Sequence, residues 1–310
     1  MTSLQSRPWI PTFGGMTSLR SRPWIPTFGG MTSIGLWRLV AVSVVITGTP
    51  LSVSAQVSMS MRAQDLGINA AIGAATATVW SLARGRGFKR AVLQGLIGGA
   101  TIGVGRQVAA SPFSGSGFAG RELSAVGISA LTSAGSDHTT LSFPVGPVEL
   151  QLTDGKEFDW RVNATYAVAA VVNSVSRTTH IDPTLSLYSG TFVFRDNRET
   201  LHTSNGEARG SEFFGGIKIA KSAFTNSNGT PNVLYHENVH VLQDDYLAFA
   251  VANPIERSIL NQTSIGRRIT RHIDVGLLSL GFNGLANSIV PYNSRPWERE
   301  AYALTPRRNY

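Results

Sequence analysis

The chain contains no cysteine among its 310 residues. That absence excludes disulfides, thiolate metal sites, a cysteine nucleophile and a lipid-anchored amino-terminal cysteine, so any metal must be held by imidazole and carboxylate. Charge is also sparse, at 15% of positions against 42% hydrophobic, which excludes a disordered tail and leaves apolar material for a sizeable core. The formal charge is +8, but the first 55 residues hold Arg7, Arg20, Arg22 and Arg38 and no acid, so half of the excess sits there. Part of the remainder forms one cluster, Arg84, Arg86, Lys89 and Arg90, and no basic stripe is interleaved with aromatic residues as single-strand binders require. Nucleic acid is accordingly not an expected partner.

The beginning of the chain reads as something other than fold. Residues 1–15 recur almost unchanged at 16–30, and a third Met-Thr-Ser opens at Met31; the period is too short and too rich in proline for a solenoid. A repeated upstream stretch with translation starting at Met31 is the simpler reading, and a short linear binding repeat the sharper one. From Met31 the pattern is that of a secretory signal: Arg38 is basic, residues 39–46 are apolar, and Val53-Ser54-Ala55 offers small residues before Gln56. Residues 1–55 are thus expected to be a repeated leader and signal peptide, and the protein to be exported to a periplasmic or extracellular location.

Residues 66–83 and 91–105 carry no charge and flank the basic cluster, which suggests a Gly/Ala-rich helical hairpin within a region spanning 56–136. Gly95, Gly99 and Gly103 recur every four residues along one helix face, where a neighbouring backbone can approach closely. A membrane hairpin through residues 66–105 is self-consistent, with the basic loop on the inner side. The segments are nevertheless short and rich in Ala, Gly and Thr, and soluble close-packed helices satisfy the same pattern.

Residues 137–310 read as an α+β domain with a small antiparallel or mixed sheet. Segments 141–145, 148–152 and 185–194 have strand composition and are separated by turn residues; 162–175 leans to helix; 213–220 reads as a further strand and 222–230 as a polar loop. Thr230 before Pro231 marks a helix start, with Thr as cap, and the helix is expected to run to about Val251, ahead of Asn253-Pro254.

On that helix lies His236-Glu237-Asn238-Val239-His240. Four residues of helix advance about 400°, so both imidazoles emerge on one face, one turn apart, and can hold a single ion. Zn²⁺ suits two imidazoles and a carboxylate, and Glu237 is then free to act as general base toward a water. With six His in the chain, the pattern arises by chance in roughly one of three hundred unrelated sequences of this composition. A third ligand must come from a separate helix, and residues 295–302 offer one, with Pro296 as start and Thr305-Pro306 as stop.

At these residues the chain resembles the gluzincin group of zinc metallopeptidases, in which a Glu on a later helix completes the site. Glu298-Arg299-Glu300-Ala301-Tyr302 looks like the family's later motif and ends in Tyr rather than Asp. The resemblance implies Glu298 as third ligand. It also implies a role for Tyr302, one helical turn on, in steadying a ligand His through its hydroxyl where the family uses Asp. Glu300 points about 200° away and is the fallback ligand. Gln243 extends the match to H-E-x-x-H-x-x-Q, similar to a set of bacterial peptidase-like domains. The resemblance spans residues 213–304.

The metzincin pattern is absent, since Tyr246 stands where its third His would be, and His272 has no motif around it. Tyr235 and Tyr246 are candidates for oxyanion support, though these two, with Asp244 and Asp245, also suit ordinary helix positions. His138, His180 and His202 look like isolated structural histidines. The expectation is an exported zinc metallopeptidase acting on protein or peptide, more an endopeptidase than an exopeptidase, with His236, His240 and Glu298 as ligands and Glu237 as base. Two competitors are an inactive zinc-stabilised module of the cell envelope and a membrane-embedded interaction protein built on the glycine stripe.

Overall fold

The computed structural model describes residues 59–203, 206–225 and 230–305. The repeat and the signal-peptide reading lie outside these residues. The described chain is mixed α and β, with small sheets, in agreement with the expected class.

Three helices come first: α1 (Met59–Ala83), α2 (Phe88–Ala109) and α3 (Ser116–Thr132). The expected hairpin is α1 and α2, with longer arms than the uncharged runs suggest. Its helices meet where the glycine spacing places them: a Cβ on Gly95 would lie 2.5 Å from Ala74 Cα, one on Gly99 would overlap the Asn69 carbonyl oxygen, and one on Gly103 would touch Leu66. A second glycine edge on α2 faces α3. There a Cβ on Gly98 would lie 2.8 Å from the Gly127 carbonyl oxygen, and one on Gly105 lies 2.6 Å from that of Gly120. The middle helix is therefore in backbone contact on both sides, and the hairpin is two-thirds of a three-helix layer. Among the described residues one helix, Met61–Ala83, is long and apolar enough to cross a membrane; α2 is not.

A four-stranded sheet follows, in the order β1-β2-β3-β10: β1 (Thr140–Val145), β2 (Val148–Thr153) and β3 (Glu157–Asn163) form an antiparallel meander, and β10 (Ile273–Asp274) joins β3 in parallel. Helix α4 (Ala164–Ser174) starts where Asn163 Oδ1 accepts from the Tyr166 amide. The second sheet is mixed and lies under the site: β4 (Thr179–Ile181), β5 (Val193–Asp196), β9 (Gly216–Ala220) and β8 (Gly210–Phe213), in that spatial order. A short hairpin, β6 (Leu201–Thr203) and β7 (Gly206–Ala208), precedes β8.

Four sequence expectations need correction here. Residues 185–194 are not one strand: Asp182 caps the Leu185 amide, Pro183 opens helix α5 (Pro183–Ser189), Gly190 ends it at φ 68°, and only Val193 onward is extended. Residues 213–220 fold back at Phe214 and Gly215, both at positive φ (45° and 72°), the geometry of a two-residue hairpin turn. Thr230 does not cap its helix, since Pro231 takes the N-cap position without a side-chain bond. The helix α6 (Asn232–Asp245) also does not stop near Val251. It widens into a π-helical turn, Tyr246–Ala252, and runs on as α7 (Asn253–Leu260). The Asn253 amide reaches back five residues to Ala248, and Pro254, which has no amide hydrogen, sits in the first turn of the new helix where none is needed.

Two apolar contacts place α6. Leu234, Val241 and Leu242 pack with Val193, Ile217 and Ile219 of the mixed sheet, and Val239 packs with Ala301 and Leu304 of α10 (Pro296–Leu304) and with Ala110 after α2. Each such fully buried side chain contributes about 1.5–3 kcal/mol. The remaining elements are α8 (Ser264–Ile269) and α9 (Leu277–Ile289), of which α9 buries only Ser279.

A candidate metal centre at the end of a cleft

Helix α6 turns three faces in three directions. Its apolar residues seat it on the sheet, Glu237 faces strand β8, and His236 and His240, one turn apart, face α10. Because Val239 and Ala301 lock the two helices together, Glu298 in the first turn of α10 is carried onto the imidazole pair. The two Nε2 atoms are 3.1 Å apart, and Glu298 Oε2 lies 3.2 Å from Nε2 of His240 and 3.5 Å from Nε2 of His236. All three side chains are buried. A tetrahedral ion with bonds of about 2.1 Å spaces its ligands about 3.4 Å apart. The residues therefore fit a metal ion, and His236, His240 and Glu298 form a buried group able to hold one.

The charges within the group are mutually adjusted. Burial alone would lower the His240 imidazole, but its hydrogen bond to Glu298 and the charges of Glu237 and Glu298 outweigh that and raise it to about 9. Burial pushes Glu298 up, and the two histidines overcome this to hold it far below the usual carboxylate range. Glu237 is 5% exposed, and its burial raises it above the ordinary value even though His236 and His240 pull the other way. Its Oε2 accepts a hydrogen bond from the Glu212 amide of β8 at 2.7 Å, which fixes the carboxylate beside the imidazole pair.

Glu300, the fallback ligand, is turned away from the group and is ion-paired with Arg106 of α2 at 2.7 Å. His272 lies elsewhere, stacked on Trp160 at 4.9 Å with Nδ1 3.3 Å from the Trp160 carbonyl oxygen. Tyr302 does sit against His236, but through its ring, with centroids 4.4 Å apart; its hydroxyl is 3.4 Å from that of Tyr292. Among the described residues the Nδ1 of His236 has no hydrogen-bond partner, so the hydroxyl role expected for Tyr302 is not the one it plays. Tyr246 is also turned elsewhere, its hydroxyl 2.6 Å from Thr76 of α1.

Sequence reasoning missed Tyr292, Glu212 and α9. Tyr292 lines the cleft, and its phenol is pushed upward by burial, by Tyr302 and by the charge of Glu298. Glu212 and Asp244 form a half-buried carboxyl pair; desolvation and the Asp244 charge raise Glu212 well above its ordinary value. Nothing local marks them: Glu212 and α9 meet the site through elements distant in sequence, and Tyr292 belongs to no motif. The cleft has a volume of about 1270 Å³, with β8 on one wall and α9 on the other. From α9, Leu280, Phe282, Leu285 and Ile289 line it while remaining 40–67% exposed.

Comparison with protein-family models, with curated proteins and with solved structures finds no match to this chain.

Proposed function

We propose that the chain is a zincin-like, zinc-dependent metallopeptidase of the gluzincin type, hydrolysing peptide bonds in protein or peptide substrates. The observation that carries this reading is the convergence of His236, His240 and Glu298 at separations of 3.1–3.5 Å, in a cleft that Glu237 also lines. Two imidazoles and one carboxylate are a donor set that zinc favours and that leaves a fourth position open. When bound, the ion supplies Lewis acidity and makes a water acidic enough to ionise near neutral pH.

The chain's own residues supply the rest. Glu237, raised by burial, takes a proton at its carboxylate and returns it to the leaving amine. Tyr292 offers a phenol on the cleft side of Glu298, positioned to donate to developing negative charge. Strand β8 is the edge of its sheet among the described residues, so its outward backbone groups, apart from the Glu212 amide that already donates to Glu237, offer an edge to an extended peptide. The apolar side chains of α9 face that edge across the cleft.

In this reading the protein is exported, and its apolar helix Met61–Ala83 gives it a means of membrane association. A second reading, a zinc-stabilised envelope module without turnover, draws support from the tie between Glu237 and the Glu212 amide. Metal analysis and hydrolysis of an unfolded protein, for wild type and Glu237→Gln, separate the two. Peptidase function requires about one zinc per chain in both and turnover reduced by about 10²–10⁴ in the variant. Zinc without turnover in wild type leaves the module, and absence of metal removes both.

A further inference from the structure

Gln243 and Glu300 connect the His-His-Glu group to the amino-terminal helices through a continuous run of hydrogen bonds. Nδ1 of His240 and Oε1 of Gln243 are 2.7 Å apart. The amide nitrogen of Gln243 donates to the Trp297 carbonyl at 3.0 Å and to Glu300 Oε2 at 2.8 Å. Glu300 is held in turn by Arg106 of α2, whose Nη1 lies 2.7 and 3.0 Å from its two oxygens. The same nitrogen donates to Asn69 Oδ1 of α1 at 2.9 Å, and Asn69 Nδ2 reaches Glu300 Oε1 at 3.3 Å. Arg106 and Asn69 are both buried.

Hydrogen-bond polarity gives this run a direction. A carboxamide has one accepting and one donating end, and a carbonyl and a carboxylate can only accept. With Trp297 and Glu300 as its neighbours, Gln243 must turn its nitrogen to them and its oxygen to His240. His240 must then donate from Nδ1, which leaves the Nε2 lone pair facing His236 and Glu298. Arg106 provides the positive charge that keeps the Glu300 carboxylate stable in this half-buried position.

We propose that Gln243, Glu300 and Arg106 are positioning residues that hold His240 in the Nε2-ligating form, so that helices α1 and α2 complete the metal centre although they contribute no ligand. The proposal rests on the metal-centre reading of His236, His240 and Glu298. It also assigns Glu300 a part that its place in the sequence motif conceals: it acts on the centre through Gln243.

The test uses the full chain. Zn²⁺ affinity is measured by chelator competition and the ligand field by Co²⁺ absorption, for wild type, Gln243→Met, Arg106→Met, and Lys221→Ala as a remote control. Loss of a hydrogen-bond partner to a ligating His weakens metal binding about 10- to 100-fold, and that is the expectation for Gln243→Met and Arg106→Met, with an altered Co²⁺ spectrum. Lys221→Ala should bind close to wild type. Wild-type affinity and spectrum in a folded Gln243→Met overturn the proposal while sparing the metal centre. Failure of wild type to take up either ion removes the metal-centre reading and this proposal with it. Should Arg106→Met fail to fold, Gln243→Met decides alone.

Discussion

Arg121 of α3 and Asp245 at the end of α6 meet in two hydrogen bonds, Nε to Oδ2 at 2.7 Å and Nη2 to Oδ1 at 3.1 Å, with side-chain exposures of 0% and 2%. The guanidinium also donates to the Gly190 and Gly146 carbonyls, so it ties three segments to the helix that bears both histidines. Removing one member of such a pair leaves an uncompensated buried charge and costs about 3–5 kcal/mol. Arg121→Met is expected to destabilise the fold by that amount in urea denaturation, and Arg121→Met with Asp245→Leu by clearly less. Equal costs for the single and double variants would show that the charges do not compensate each other.

The ion and a proton compete for His240. Without metal the imidazole is protonated up to about pH 9, because the hydrogen bond and charge of Glu298 and the charge of Glu237 outweigh burial. Its value lies above that of an unfolded histidine, so this protonation stabilises the metal-free fold fully below pH 6.5, and the contribution is lost as pH rises through about 9. A ligating imidazole must be neutral, so apparent zinc affinity should rise between pH 6.5 and 9 and level off above. Calorimetry at pH 7 in buffers of different ionisation enthalpy should detect proton release on zinc binding; uptake would contradict the assignment.

Tyr302 separates ring packing from hydrogen bonding. Its ring covers His236 and its hydroxyl points to Tyr292. Tyr302→Phe should therefore leave zinc affinity unchanged, whereas Tyr302→Ala should lower it by uncovering the imidazole. A large loss in Tyr302→Phe would show that the hydroxyl does steady the ligand.

The glycine edges of α2 make a stability prediction without reference to the site. A Cβ on Gly98 would press on the Gly127 carbonyl oxygen as well as on the Leu131 side chain, and one on Gly105 on the Gly120 carbonyl oxygen as well as on the Ser124 hydroxyl, so moving a side chain relieves neither. Gly105→Ala should cost at least the ~1–3 kcal/mol typical of overpacking. Gly87, with open space around it, should accept Ala at little cost. Thermal unfolding of the two variants makes the comparison.

The His236–Glu237–His240 face and the Glu298 helix were legible because each is signalled locally: a four-residue helical spacing in one case, Pro296 and Thr305 as boundaries in the other. The α1–α2 contact was legible for the same reason, through Gly95, Gly99 and Gly103. The sequence misleads where local signals compete. Asp182-Pro183 and Gly190 bracket a helix, yet the apolar residues between them suggested a strand. Pro254 read as a stop because a π-helical turn, which removes the need for its amide, leaves no mark in composition. The links of Arg106 to Glu300 and of Glu212 to Glu237 join residues 194 and 25 positions apart, and only tertiary packing brings such pairs together.

The two glycine edges of α2 also set its tolerance to changes of length. Each residue of an α-helix turns it by about 100°, so adding or deleting one residue between Gly98 and Gly105 would swing part of both edges away from their partners at once. It would also displace Arg106, one position beyond, from Glu300. A single-residue indel there would thus undo two helix interfaces and the support of His240 together, whereas one in the turn at Arg84–Gly87 would leave both registers intact.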